Sequence, residues 1–135
     1  MGLSDYTVET AVAVSDLERA RDFYERALGL KPGEVEEQGS RYPCGGGTGI
    51  FVYLSPDNAG SATATVAGWL VDDLDATMAD LASRGVEFER YDMPGIKTDA
   101  NGVFDAGNFR AAWFKDPDGN TFAVSQRSAA GQAIR

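Results

Sequence analysis

The chain has 135 residues, 43% of them hydrophobic, and a formal net charge of −9. This length predicts one domain, or two small modules that share a core. The negative charge argues against nucleic-acid binding, which requires a basic surface, and it suits solubility or a cationic ligand. No apolar run approaches the ~18 residues of a membrane-spanning helix, so we expect no membrane partner.

Two residue counts limit the chemistry further. The sequence contains no histidine, which removes catalysis by Ser-His-Asp and Cys-His groups and the commonest ligand of zinc, nickel, iron and copper. Its single cysteine, Cys44, cannot form an internal disulfide. Because the N-terminal residues also lack a basic leader and an apolar run, we expect a cytoplasmic protein.

The first half of the chain predicts a strand, a helix and further strands. Alternating apolar residues indicate a strand over Val8–Val14, and helical spacing indicates a helix over Asp16–Leu28 that ends at a glycine. The predicted apolar face of this helix consists of Leu17, Ala20, Tyr24, Ala27 and Leu28. Two more strands are predicted over Glu34–Gln38 and Ile50–Leu54, with a glycine-rich turn before the second.

The second half predicts the same order of elements. A strand over Ala64–Val71 precedes a helix over Leu74–Arg84, whose apolar face contains Leu74, Met78 and Leu81. The remaining predictions are strands over Val86–Tyr91, Phe109–Phe114 and Thr121–Gln126, a polar loop over Pro94–Gly107, and a tight turn at residues 116–120. We expect the long loop to act as a lid, with Lys97 reaching an anionic group. Residues 128–135 are expected to form a frayed tail.

An internal repeat organises these elements. Val12–Leu17 (VAVSDL) superposes on Trp69–Leu74 (WLVDDL) with an offset of 57 residues, from position 12 to position 69. Each copy predicts a βαβββ unit, with module one over about residues 8–60 and module two over about residues 64–127. Each unit has only one helix, which covers one face of its sheet, so the other face must be covered by another partner.

Three segments carry a family resemblance. Ala11–Leu30, Trp69–Phe88 and Ala111–Gln126 resemble the vicinal oxygen chelate superfamily, which includes glyoxalase I, bleomycin-resistance proteins and extradiol dioxygenases. This resemblance implies an α+β fold in which two tandem βαβββ modules form a curved, cup-shaped mixed sheet with the helices outside. It also implies a homodimer. Metal-using members point four histidine, glutamate or glutamine side chains into the cup.

The ligand positions implied by this resemblance are mostly occupied by other residues. The first-strand positions fall on Glu9 and Val66, and the last-strand position of module two falls on Ala123. The last-strand position of module one lies within residues 50–54, where only Tyr53 has a polar side-chain atom. One good ligand is too few for a transition metal, so we predict a cup without a metal or other cofactor.

Aromatic residues are predicted to line this cup. Alternation directs Trp113 and Ala111 toward the cup and Trp69 toward the core. The residues expected near the rim are Phe51 or Tyr53, Arg41 and Tyr42, and Tyr91, Asp92 and Met93. Aromatic rings beside an arginine suit a planar or anionic small molecule. Trp113 would serve equally well as a dimer contact or an edge cover.

Three functions remain open at this point. The leading hypothesis is metal-free binding of a planar or cationic organic molecule, against Val66, Ala123 and the aromatic residues. The second is a lyase, isomerase or hydrolase acting on a small oxygenated metabolite, with Glu9 as general base. Glu9 is equally well explained as a solvated residue at a strand edge. The third is an accessory dimer whose cup has no ligand.

Overall fold

The computed structural model of the chain describes residues 2–128, and two four-stranded sheets dominate it. All of the predicted tail except Ser128 lies outside the described residues. The strands of sheet A are β1 (Glu9–Val14), β2 (Val35–Glu36), β3 (Gly39–Pro43) and β4 (Gly49–Leu54), in the order β1-β4-β3-β2. Strand β1 is parallel to β4, and the other pairs are antiparallel.

Sheet B repeats this arrangement. Its strands are β5 (Thr65–Leu70), β8 (Phe104–Asp105), β9 (Phe109–Lys115) and β10 (Thr121–Arg127), in the order β5-β10-β9-β8. Again the first strand is parallel to the last, and the other pairs are antiparallel. A small hairpin of β6 (Asp92–Met93) and β7 (Ile96–Lys97) stands apart from both sheets. The α+β class with two βαβββ modules is therefore confirmed.

The two helices begin at equivalent aspartates. Helix α1 (Leu17–Arg21) continues into a π-helical turn, and α2 spans Leu74–Ser83. The Asp16 carboxylate accepts from the Arg19 backbone N–H at 3.1 Å, and the Asp73 carboxylate accepts from the Ala76 N–H at 3.0 Å. Both satisfy N–H groups that a helix start leaves unpaired. Neither described helix is long and apolar enough to cross a membrane.

One hydrophobic core joins both modules. Its members come from the inner faces of the helices and from alternate positions of both sheets. They include Val12, Val14, Tyr24, Ile50, Val52, Leu74, Leu81, Phe114, Phe122 and Val124. Trp69 packs against this core beside Phe114 and Phe122, so the prediction that Trp69 faces the helix side is confirmed.

The two sheets meet at their first strands. The Thr10 hydroxyl donates to the Val66 carbonyl at 3.2 Å, and the Asn120 amide donates to the Ala13 carbonyl at 2.9 Å. Val66 lies where the pairing register of β5 with β10 shifts, so this residue forms a β-bulge at the junction. The faces opposite the helices therefore adjoin along the line between β1 and β5.

Three predictions about the strands need correction. Strand β3 (Gly39–Pro43) was not predicted, because it has only one apolar side chain and a glycine and a proline at its ends. The predicted strand over Val86–Tyr91 is wrong, since only Phe88 forms a bridge, to Phe114. The edge of β9 is instead occupied mainly by β8. The loop predicted over Pro94–Gly107 contains β8 and most of the hairpin.

Candidate functional site

We call the sheet face opposite the helices the cup face. Its side chains alternate with the buried ones, as the pleat of a strand requires. On sheet A the cup face contains Glu9, Ala11, Ala13, Arg41, Phe51 and Tyr53, and on sheet B it contains Gly68, Leu70, Phe104, Ala111, Trp113, Ala123 and Ser125. Ala11 and Gly68 are exposed, so the middle of the face is open to solvent.

A cluster of two aromatic rings and an arginine lies on sheet A. The rings of Phe51 and Tyr53 stack with centroids 5.8 Å apart and planes inclined by 10°. The guanidinium carbon of Arg41 lies 4.5 Å from the centroid of the Phe51 ring. A Cβ atom at Gly39 would lie 2.3 Å from the Val52 carbonyl oxygen and 3.1 Å from the Phe51 ring, so the packing here requires glycine. We call Arg41, Phe51 and Tyr53 the sheet A cluster.

Carboxylates surround this arginine. Arg41 forms an ion pair with Glu9 across the strands. Hydrogen bonding to Glu9 raises the pKa of Arg41, and the charges of Glu36 and Glu34 act in the same direction. One cation therefore faces three carboxylates, so the local potential favours a positively charged ligand.

The same ion pair limits what Glu9 can do. The Glu9 side chain is 43% exposed and lies at the start of β1, beside Gly49 of β4. Its carboxylate is already bound by the Arg41 guanidinium, so proton abstraction would first require this pair to open. The role of Glu9 as a general base stays a hypothesis.

A second aromatic group surrounds Trp113 of sheet B. The Trp113 ring contacts Tyr91 edge-on at 5.5 Å and Phe104 at 6.3 Å between centroids. Burial, followed by the charge of Glu89, raises the pKa of Tyr91. The Tyr91 backbone N–H donates to the Thr98 hydroxyl at 2.8 Å, which ties the base of the β6–β7 hairpin. We call Tyr91, Phe104 and Trp113 the sheet B cluster.

Small residues form the floor between the two clusters. Ala123 lies opposite Gly68 on one neighbouring strand and opposite Trp113 on the other. Ala11 and Ala13 continue this floor across the junction into β1. None of these floor residues has a side chain larger than a methyl group, which gives a flat molecule access to the rings on either side. Leu70, opposite Ser125, borders this floor.

The donor set on the cup face does not fit a metal. Val66 and Ala123 have no ligating atom, and Glu9 is held by Arg41. Among residues 2–128, no group of three or more cysteine, aspartate or glutamate side chains is close enough to hold a metal ion. We therefore assign no chemical step to a metal.

The structure brings some of the predicted site residues together and separates others. Arg41 pairs with Glu9 and lies over Phe51, which stacks on Tyr53. Trp113 lies on sheet B, and Tyr91, just before the β6–β7 hairpin, contacts it. Val66 packs partly against the core at the junction. Met93 is 50% exposed on the hairpin, and Lys97 is exposed beside it.

Phe104 is the site residue that the sequence interpretation missed. It belongs to β8 and pairs with Ala111, which directs its ring to Trp113. The available signal was a lone aromatic residue inside a segment predicted as a polar loop. A large aromatic side chain in such a segment commonly finds a packing partner.

Comparison with known proteins agrees with this architecture. A glyoxalase/bleomycin resistance protein from Catenulispora acidiphila is 27% identical, with a TM-score of 0.69 over 90% of this chain and 98% of that one. TnmS3, an antibiotic-binding protein from a Streptomyces species, is also 27% identical, with a TM-score of 0.64 over 91% and 96%. An oxidase that is 18% identical shares the fold, with a TM-score of 0.65 over 93% and 97%.

No curated protein matches the chain. The family model described as Glyoxalase/Bleomycin resistance protein/Dioxygenase superfamily matches residues 6–124, which is most of the sequence. The chain belongs to the glyoxalase/bleomycin resistance protein/dioxygenase superfamily.

Proposed function

We propose that the cup face binds a planar organic cation without a metal and that the protein sequesters this molecule. The observation that carries the proposal is the floor of small residues between the sheet A cluster and the sheet B cluster. A flat ligand on this floor would meet aromatic rings on both sides.

The position of Arg41 supports the preference for a cation. Its guanidinium is itself a planar cation that lies over Phe51 and pairs with Glu9. A ligand with a similar group would make the same two contacts once Arg41 moved aside. The neighbouring Glu34 and Glu36 and the net charge of −9 favour the same sign of ligand.

A relative supports a binding role rather than a catalytic one. TnmS3 is described as an antibiotic-binding protein, and it covers most of this chain at 27% identity. Glu9, the residue proposed as a general base, is engaged by Arg41. We therefore rank binding above catalysis by a lyase or isomerase.

The proposal includes a homodimer. Its support is the exposure of large apolar side chains, including Val35 at 60%, Leu54 at 45% and Leu70 at 46%. Sedimentation velocity at two protein concentrations would test it. A species of 14.4 kDa at both concentrations would contradict it.

Titration with proflavine, a planar cation, and fluorescein, a planar anion, tests the ligand class by tryptophan fluorescence and thermal shift. We expect proflavine to bind more tightly. Phe51→Leu should weaken its binding about fivefold or more through loss of ring contact, and Glu9→Gln should weaken it by a similar factor. Tyr6→Leu is the matched control, because Tyr6 is 64% exposed and lies outside the cup face.

Two outcomes would contradict the proposal. One is equal binding of the two dyes, or none. The other is the same affinity in Phe51→Leu as in Tyr6→Leu. The alternative is a lyase or isomerase in which Glu9 is the general base. It would be favoured if Glu9→Gln abolished turnover of an oxygenated metabolite but left the ligand affinity unchanged.

A further inference from the structure

The Arg41 side chain makes two kinds of contact on the cup face. Arg41 lies directly opposite Phe51 in the pairing of β3 with β4, and its guanidinium carbon lies 4.5 Å from the centroid of the Phe51 ring. One edge of the same guanidinium pairs with the Glu9 carboxylate of β1. A flat cation with N–H groups at its edge makes both contacts at once, whereas an ammonium group has no flat face.

The ion pair leaves half of the Glu9 carboxylate unused. The Arg41 Nη1 donates to Oε1, and no group among residues 2–128 donates to Oε2. A Cβ atom at Gly49 would stand 3.6 Å from Oε2, so this oxygen lies over a residue without a side chain. A free amidinium or guanidinium group would place two N–H donors against both oxygens, which is the stronger arrangement.

A ligand has access to this carboxylate. A cavity of about 400 Å³ lies beside the ion pair, and Glu9, Arg41, Thr48 and Gly49 are among its lining residues. An apolar cavity of about 150 Å³ holds benzene, so the larger cavity has room for an aromatic ring attached to the cation.

The Arg41 side chain is free to turn away while its strand stays in place. The Arg41 backbone N–H donates to the Glu34 carbonyl at 2.9 Å, and the Arg41 carbonyl accepts from the Gly33 N–H at 2.7 Å. The side chain is 37% exposed, and an exposed ion pair of this kind is weak. Hydrogen bonding to Glu9 and the charges of Glu36 and Glu34 raise the pKa of Arg41, so other carboxylates attract the guanidinium when it turns outward.

We propose that the cup face recognises an amidinium or guanidinium group, and that Arg41 occupies this position in the free protein as an internal competitor. The inference rests on the proposed function and narrows its ligand from planar cations in general to those with two N–H donors along one edge. Arg41 then sets the ligand affinity, because the position is available only in the fraction of molecules whose Arg41 side chain has turned away.

Three monocyclic probes test the ligand class by NMR titration of ¹⁵N-labelled wild-type protein, followed at the backbone amides of Phe51 and Tyr53. Benzamidine has a flat cation with paired N–H donors, benzylamine has an ammonium group of the same charge, and benzamide is flat but uncharged. We expect benzamidine to bind about fivefold or more tightly than either of the others. Equal affinity for benzamidine and benzylamine would overturn the proposal, and so would the absence of benzamidine binding.

Arg41→Met tests the internal competition. This variant should bind benzamidine about fivefold more tightly than the wild type, because methionine cannot pair with Glu9. Arg21→Met is the control for the lost charge, since Arg21 contacts Ser40, the neighbour of Arg41 in β3, from the helix side. The same gain in both variants, or no gain in Arg41→Met, would refute the competition. The wild-type comparison tests the ligand class even if Arg41→Met does not fold.

Proflavine and fluorescein separate a failure of this inference from a failure of the proposed function. A wild-type protein that prefers proflavine to fluorescein but binds benzamidine and benzylamine equally would keep the planar-cation function and lose the amidinium position. A wild-type protein that binds none of these compounds would contradict both.

Discussion

Tyr24 is a buried polar contact between the two modules. Its side chain is 0% exposed, and its hydroxyl donates to the Asp116 carboxylate at 2.6 Å. Its ring lies between Tyr42 of sheet A, with centroids 6.0 Å apart, and Phe122 of sheet B, at 5.9 Å. Burial, followed by the Asp116 charge, raises the pKa of Tyr24. The hydroxyl therefore stays protonated and donates.

Tyr24→Phe should destabilise the protein by about 1–3 kcal/mol, because a buried carboxylate loses one of its donors. The remaining donors to Asp116 are the backbone N–H groups of Asp118 and Asn120 and the side-chain amide of Asn120. Urea unfolding measures the change. Tyr53→Phe is the control, since Tyr53 is only half-buried, and it should cost less than about 0.5 kcal/mol. Equal losses in the two variants would contradict this account.

Alternation in the sequence was enough to predict which way single side chains point. Trp69 and Trp113 point to opposite faces, as their spacing from buried neighbours indicates. The partners of these side chains were not predictable, because a cross-strand contact depends on the register between strands. The pairing of Arg41 with Glu9 is an example: the two residues are 32 positions apart and meet only through β4.

At the scale of elements, the turn between β9 and β10 contacts the linker between the modules. The Gly60 backbone N–H donates to the Asn120 side-chain oxygen at 3.2 Å. Gly60 has a φ of +67°, and a Cβ atom there would lie 1.9 Å from the Asp118 carbonyl oxygen. The linker therefore needs glycine both for its backbone conformation and for the close approach.

Gly60→Ala tests this contact against Gly46→Ala. Gly46 has nearly the same φ, +66°, but nothing lies within 4 Å of its added Cβ. Gly46→Ala should cost about 1 kcal/mol from the left-handed backbone alone. Gly60→Ala should cost at least about 2 kcal/mol more, since backbone atoms must shift. Chemical denaturation of both variants measures the difference, and similar costs would argue against a steric role for Gly60.

Helices and strands were predictable where the local sequence pattern is strong. They were not predictable where pairing with another strand determines whether a segment becomes a strand. Both helices, their caps and the strands with clear alternation were predicted, with ends shifted by a few residues. Strand β3 forms because β4 offers it five paired positions, not because its own sequence favours a strand. Val86–Tyr91 has an alternating pattern, but β8 takes the edge that it would need.

At the scale of the whole molecule, buried tyrosines limit stability at high pH. Burial, followed by hydrogen bonding to Glu25, raises the pKa of Tyr42 to about 12. The pKa values of Tyr24 and Tyr91 are raised as well. In the unfolded chain these groups ionise near pH 10 (about the model-peptide value), while in the folded chain their ionisation is displaced to higher pH. The unfolded state then binds fewer protons, so stability falls as pH rises above about 10.

Urea midpoints between pH 8 and pH 11.5 test this alkaline dependence. We expect a plateau below pH about 10 and a decline above it. In Tyr24→Phe the free energy of unfolding should fall less steeply above pH about 10, because phenylalanine cannot ionise. The loss of one titrating group reduces the slope by about 1.4 kcal/mol per pH unit. The lysines are unchanged between the two proteins, so the difference isolates Tyr24. Parallel declines would contradict the assignment.

The turn at residues 116–120 also couples the sequence evolution of the two copies of the repeat. Asp118 accepts from the Ser15 backbone N–H and from the Arg19 guanidinium, and Asn120 donates to the Ala13 carbonyl. A mutation in this turn is thus selected by its effect on the first copy as well as on the second. After a duplication, the two halves are free to diverge elsewhere on their surfaces. At this turn they must change together.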